Sequence, residues 1–281
     1  MADLNQQEVY DWIRYQATGN FYYRDVLDRQ VAPELWGQLR AICSDAVKEG
    51  VAARIDGKDG WYRPVDTSLE EILLENGDPQ TVDLKLPMEM HNYGFVFAPA
   101  LIVVAGEWNK GKTAYLLQCV NLNMDAFANN LFYFVSEGAE LMKLRFKDMW
   151  GFIPKPLPFK MYRRLDRFSD VIRPDGLNIV DYLRVDMDKP WTVANELKAI
   201  YNKLRTGIAI VAMQKPMGRD IAFGGESTAW EPMLYISIGN GYAKFTKIKV
   251  PRFDEVDPYR IRFTFKIKKG VHFTDVSRIE E

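Results

Sequence analysis

Between Gly106 and Thr113 the chain reads Gly-Glu-Trp-Asn-Lys-Gly-Lys-Thr, with four residues between the two glycines and a lysine and a threonine directly after the second. Two glycines at this spacing let the backbone curl so that successive N–H groups, and the start of any helix that follows, converge on an anion. Lys112 adds a cation suited to the outer phosphates of a nucleotide, and the Thr113 hydroxyl suits Mg²⁺. The stretch satisfies the pattern G-x-x-x-x-G-K-[ST] at every position. It also lies between an apolar strand-like run, Leu101 to Ala105, and a helical pattern, which is the context the pattern requires. Gly106, Glu107, Trp108, Asn109, Lys110, Gly111, Lys112, Thr113 and Ala114 are therefore the expected nucleotide-binding residues, with ATP and Mg²⁺ as cofactors.

Other polar residues close apolar runs. Leu131 to Val135 leads through Ser136 into Glu137, Asn178 to Val180 into Asp181, and Ile208 to Met213 into Gln214. In open parallel sheets, ligands gather at such carboxyl ends. Asp186 competes with Asp181 as a carboxylate but follows a less apolar run. His91 and His272 are isolated, and no Cys or His cluster suggests zinc.

These positions need a scaffold. Leu101 to Ala105 is continuously apolar, as befits a strand buried on both faces. A helix over Lys112 to Asn123, strands at Leu131 to Ser136, Leu177 to Asp181 and Gly207 to Met213, and a helix at Val193 to Leu204 then alternate. That order predicts an α/β fold with a mainly parallel sheet. Tyr235 to Ile238, Ala243 to Val250 and Arg260 to Lys268 read as consecutive antiparallel strands extending it. Upstream, helical patterns at Gln6 to Gln16, Tyr22 to Arg29 and Pro33 to Gly50 precede a hairpin around Asp56-Gly57-Lys58-Asp59. Three helices and a hairpin resemble a small winged helix-turn-helix domain. The expected division is a winged-helix-like domain at 1–66, a linker at 67–95 with a docking helix marked by Leu69, Ile72, Leu73 and Leu74, and the α/β domain at 96–281.

The phosphate loop, followed by a strand ending in Glu137, one running Asp181-Tyr182-Leu183 and one ending in Gln214, resembles the RecA/DnaB superfamily of P-loop ATPases. Phage and plasmid replicative-helicase-like proteins are the nearest look-alikes, over roughly Leu86 to Phe273. The resemblance implies a RecA-like P-loop core in which Glu137 is general base, Asp181 holds Mg²⁺ with Thr113, and Gln214 senses the γ-phosphate alongside Lys112. It implies too that Lys249 and Arg252 complete a neighbouring subunit's site in a ring or filament. Here Pro251 stands between them, and the family's glycine-rich continuation is missing. The loop from Lys215 to Glu226 would face DNA.

The 281 residues carry 38 acidic and 37 basic side chains, so overall charge gives no general attraction to nucleic acid. A local stretch with Lys155, Lys160, Arg163, Arg164, Arg167 and Arg173 among Phe159, Tyr162 and Phe168 is either a single-strand-binding strip or a solvated surface. The first 66 residues hold more acids than bases, so the winged-helix candidate binds either duplex DNA or a protein. Cys43 and Cys119 read as buried free thiols, no run approaches the roughly 20 apolar residues of a membrane span, and a cytoplasmic location is expected. The expected function is ATP hydrolysis coupled to DNA in replication or recombination of a mobile element. Two alternatives stay open: a nucleotide-controlled regulatory switch and a helicase-loader-like ATPase.

Overall fold

The computed structural model describes residues 4–28, 31–69, 78–252 and 256–280. The chain separates into two compact units, Met1–Gly77 and Asp78–Glu281.

The first unit contains α1 (Gln6–Tyr15), β1 (Phe21–Tyr22), α2 (Trp36–Lys48), β2 (Ala52–Arg54) and β3 (Trp61–Pro64). Asn5 caps α1 by accepting from the Gln7 N–H, and Val9, Trp12 and Ile13 turn the helix's apolar stripe inward. They meet Leu39, Ile42, Cys43 and Ala46 of α2 in one core. The three strands form an antiparallel sheet in the order β1-β3-β2. The helix expected from Tyr22 to Arg29 does not form as read. Tyr22 pairs with Trp61 in the sheet, and the following 3-10 segment is broken where Val26 is extended and Leu27 has φ 72°. Most of the expected docking helix, residues 70–77, lies outside the described residues.

The second unit is built on a nine-stranded sheet. Its strands are β4 (Ala100–Gly106), β5 (Leu131–Val135), β6 (Lys160–Arg163), β7 (Leu177–Leu183), β8 (Ile208–Gln214), β9 (Leu234–Gly239), β10 (Tyr242–Ile248), β11 (Ile261–Lys268) and β12 (His272–Glu280). The spatial order is β12-β11-β10-β9-β4-β8-β7-β5-β6. From β9 to β6 all pairings are parallel, and from β9 to β12 they are antiparallel. The antiparallel extension was expected to begin at 235–238. It begins one strand later, because β9 lies parallel to β4 in the register Ile102 to Leu234. β12 adds a strand that the sequence pattern did not suggest.

Helices cover both faces, as a parallel sheet requires. Ile102 and Val104 of β4 pack with Leu116 and Val120 of α3 (Lys112–Asn123) and with Met142 and Phe146 of α4 (Ala139–Trp150). Leu101, Val103 and Ala105 point the other way, toward Val193, Leu197 and Ile200 of α5 (Val193–Lys203). The period-two alternation thus feeds two cores, and every residue of β4 is buried. Cys43 and Cys119 are buried free thiols, with burial pushing the Cys43 thiol up to about 12. Among the described residues no helix is long and apolar enough to cross a membrane.

Candidate nucleotide site

At the carboxyl ends of β4, β5, β7 and β8 lies a cleft of about 370 Å³. It is lined by Trp108 to Ala114, Glu137, Arg145, Asp181, Tyr182, Gln214, Ile267 and Gly270. The phosphate-loop backbone is fixed by close approach. A Cβ on Gly106 would come within 2.5 Å of Lys112 Cγ. Gly111 has φ +104°, which L side chains rarely adopt, and a Cβ there would stand 2.4 Å from Ile267 Cδ1. Gly111 is also the N-cap of α3 and has no side chain to satisfy the first-turn N–H groups, which leaves that helix end to an anion.

Lys112 Nζ donates to the carbonyls of Gly106 (3.0 Å) and Glu107 (2.9 Å) and to Gln214 Oε1 (3.0 Å). Burial lowers its pKa to about 8, against opposing pulls from Asp181 and Glu107. Asp181 accepts from Thr113 Oγ1 at 3.2 Å and from Tyr133 Oη at 2.6 Å. Burial raises the Asp181 carboxyl, while these two hydroxyls pull it down. A hydroxyl and a carboxylate side by side at the foot of an anion cradle fit Mg²⁺, which takes few protein ligands and completes its shell with water and phosphate oxygens. The residues present therefore fit a magnesium nucleotide. Among the described residues there is no cluster of three or more His, Cys, Asp or Glu able to hold a metal by itself.

Glu137 reaches the same cleft but is held by Arg145 of α4, Oε2 to Nη1 at 2.5 Å and Oε1 to Nη2 at 3.1 Å. Sequence reading missed this arginine, whose only trace is its position two helical turns beyond Glu137. Tyr133 was missed too, hidden inside an apolar strand. So was the β11–β12 turn, which brings Ile267 and Gly270 against the loop while Gln118 Nε2 donates to the Val271 carbonyl.

Glu107 serves the loop's far side. Its Oε1 accepts from the Gly218 N–H at 3.1 Å and faces the Lys215 ammonium at 3.8 Å. Lys215 is fully buried, and burial lowers its pKa. Trp108 is 75% exposed above the loop, Asn109 takes a left-handed turn, and Lys110 Nζ donates to Asn240 Oδ1.

Lys249 and Arg252 are not brought to this cleft. Ile248 pairs with Leu234, and Leu234 with Ile102, so both residues follow β10 at the opposite end of the sheet from Gly106. There the Arg252 guanidinium stacks 4.6 Å from the Phe95 ring centroid. In the basic stretch, Phe159 and Phe168 are buried and Tyr162 stacks on Phe134, so two of its three rings are core rather than binding platforms.

No family model and no curated protein matches the sequence. Among solved structures, the chain is similar to the KaiC-like protein PH0186 of Pyrococcus horikoshii OT3, with a TM-score of 0.51 and 14% identity over 69% of this chain and 98% of that one. At that identity the likeness speaks for fold alone. Together with the sheet order it defines the second unit as a RecA-like α/β core carrying a phosphate loop.

Proposed function

We propose that the chain binds ATP with Mg²⁺ and hydrolyses it. The observation that carries this reading is the convergence of Lys112, Thr113, Asp181, Gln214 and Glu137 on one cleft beneath an uncapped helix N-terminus. Lys112 and the loop N–H groups hold the phosphates, Thr113 and Asp181 hold Mg²⁺, and Glu137 orients the attacking water. Gln214 exchanges its bond to Lys112 for one to the γ-phosphate and so reports the nucleotide state. Lys249 and Arg252 are assigned to the next subunit's site in a DnaB-like ring or filament, which accords with their distance from their own phosphate loop.

DNA is the proposed partner. Residues 184–192 and 215–224 leave the carboxyl ends of β7 and β8 and include Arg184, Lys189, Trp191, Met217 and Arg219. Met217 is 86% exposed and Trp191 63%, the mix of cations and apolar surface that suits single strands. We assign the first unit, in which two α-helices precede the hairpin, to duplex binding, and the activity we assign is replication or recombination of a mobile element. A second reading, a nucleotide-controlled switch or a helicase-loader-like ATPase gripping a protein, is favoured by the ties on that unit's bases: Arg40 pairs with Asp59, and Arg54 donates to Ser44.

Steady-state ATP hydrolysis, with and without single-stranded and duplex DNA, separates the two. The motor reading expects stimulation by single strands that disappears in Lys112→Ala. Turnover indifferent to DNA would replace it with the switch or loader.

A further inference from the structure

Arg145 has no place in the machinery assigned above, yet it lines the phosphate cleft and grips the residue assigned as general base with two nitrogens. Both partners are largely withdrawn from solvent, their side chains 20% and 32% exposed, so this is not a loosely hydrated surface pair. One Glu137 oxygen accepts a hydrogen bond from Arg145 and the other lies in close ion-pair contact with its second nitrogen, so the carboxylate faces the guanidinium and not an attacking water. A water-activating role for Glu137 therefore requires the guanidinium to go elsewhere.

The cleft supplies the destination. A guanidinium fork fits phosphate oxygens as well as it fits a carboxylate, and a terminal phosphate carries more charge than a carboxylate. Arg145 projects from α4 on a long side chain and lines the cleft that Lys112 and Thr113 also line, which places it among the groups a bound phosphate would meet.

We propose that Arg145 is a γ-phosphate-binding residue acting within its own subunit, which releases Glu137 when a triphosphate arrives and clamps it again when only a diphosphate remains. This rests on the nucleotide reading above and deepens it. The clamp suppresses unproductive activation of water and ties the base's availability to the presence of the bond to be broken.

The test is equilibrium binding of fluorescent ADP and of a fluorescent non-hydrolysable ATP analogue, both with Mg²⁺, to the full chain and its variants. Arg145→Ala is expected to lose on the order of tenfold or more in affinity for the triphosphate analogue, the scale of a lost charge-assisted contact, while ADP affinity stays within about twofold. The unchanged ADP affinity also shows that the variant is folded. Arg145→Lys keeps the charge without the fork and should lie between. Glu137→Gln, by freeing the guanidinium, should hold the triphosphate analogue at least as tightly as the natural protein. If Arg145→Ala keeps the natural preference for triphosphate over diphosphate, the proposal is overturned and the nucleotide reading stands. If the natural protein binds neither nucleotide, both fall together.

Discussion

Tyr133 Oη donates a 2.6 Å hydrogen bond to Asp181 Oδ2 across two neighbouring buried strands. Asp181 lies opposite Val135 in the β5–β7 register, so the tyrosine reaches it diagonally from two residues back. The bond fixes the carboxylate toward Thr113 and partly offsets the cost of burying it. Tyr133→Phe removes both effects. It should weaken Mg²⁺-dependent nucleotide binding by about tenfold and stability by about 1 kcal/mol, with a larger deficit at acidic pH as Asp181 protonates more readily. Metal titrations at two pH values measure this, and unchanged metal dependence would deny Tyr133 its positioning role.

Asp181 also sets a trade between stability and binding. Its folded pKa is raised, so the folded protein holds a proton that the unfolded chain has released, and stability falls as pH rises through that interval. Above that interval the ionised, buried carboxylate is a cost. Asp181→Asn should raise the thermal midpoint of the ligand-free protein while abolishing the stabilisation that Mg²⁺ and ATP otherwise give. Thermal melts with and without both ligands decide it, and a lowered ligand-free midpoint would count against this account.

Lys112 titrates in an accessible range. Its folded value, lowered to about 8, lies below that of the unfolded chain, so its burial destabilises the ligand-free fold at neutral pH and that cost fades as pH rises above about 8. Phosphate binding requires the ammonium and pulls the proton back. Affinity for ATP should therefore decline by about tenfold between pH 7 and pH 9, with proton uptake on binding. Calorimetry in buffers of different ionisation enthalpy reads that uptake, and a flat affinity across the range would contradict it.

Gly111 is constrained twice, by its positive φ and by Ile267 Cδ1 at 2.4 Å from any added Cβ. Gly111→Ala should cost about 1–3 kcal/mol. Adding Ile267→Ala should restore the steric part and leave the backbone part, so a double-mutant cycle in denaturant is expected to find partial rescue. Strictly additive losses would mean the hairpin does not press on the loop.

Glu107 and Asp220 both act on the buried Lys215 ammonium, and Asp220 itself pairs with Lys244. Glu107→Ala should cost about 1–2 kcal/mol, since it leaves the buried ammonium only the Arg219 carbonyl and the shared Asp220 carboxylate as described partners. It should also speed hydrogen exchange in residues 215–224, which Glu107 tethers through the Gly218 N–H. Exchange rates equal to those of the natural protein would show that the tether is inert.

Much of the core was legible because β4, β5, β7 and β8 are buried on both faces, which forces continuous apolar runs that no loop would carry. β6 and β12 escaped notice for the complementary reason: they are sheet edges, and Lys160, Tyr162 and Arg163 or residues 275–280 lie exposed like ordinary surface. The direction of β9 was illegible because an apolar strand reads the same either way, and the crossover from β8 decides it. Within the site, residues on the phosphate loop could be found by spacing. Arg145 with Glu137, Tyr133 with Asp181, and Glu107 with Lys215 each join different elements, and only the folded register brings such partners together.

The separation of Gly106 from Lys249 and Arg252 along one sheet gives the second unit unlike ends. Units whose complementary surfaces sit at opposite poles join head to tail and never face to face. In an assembly where the basic pair serves the neighbouring phosphate loop, any open row is polar, with an unserved loop at one terminus and an unused pair at the other. A chain altered only at Arg252 would leave one of its two junctions inactive and the other intact, so a small admixture would silence sites in proportion to its share rather than poison whole assemblies.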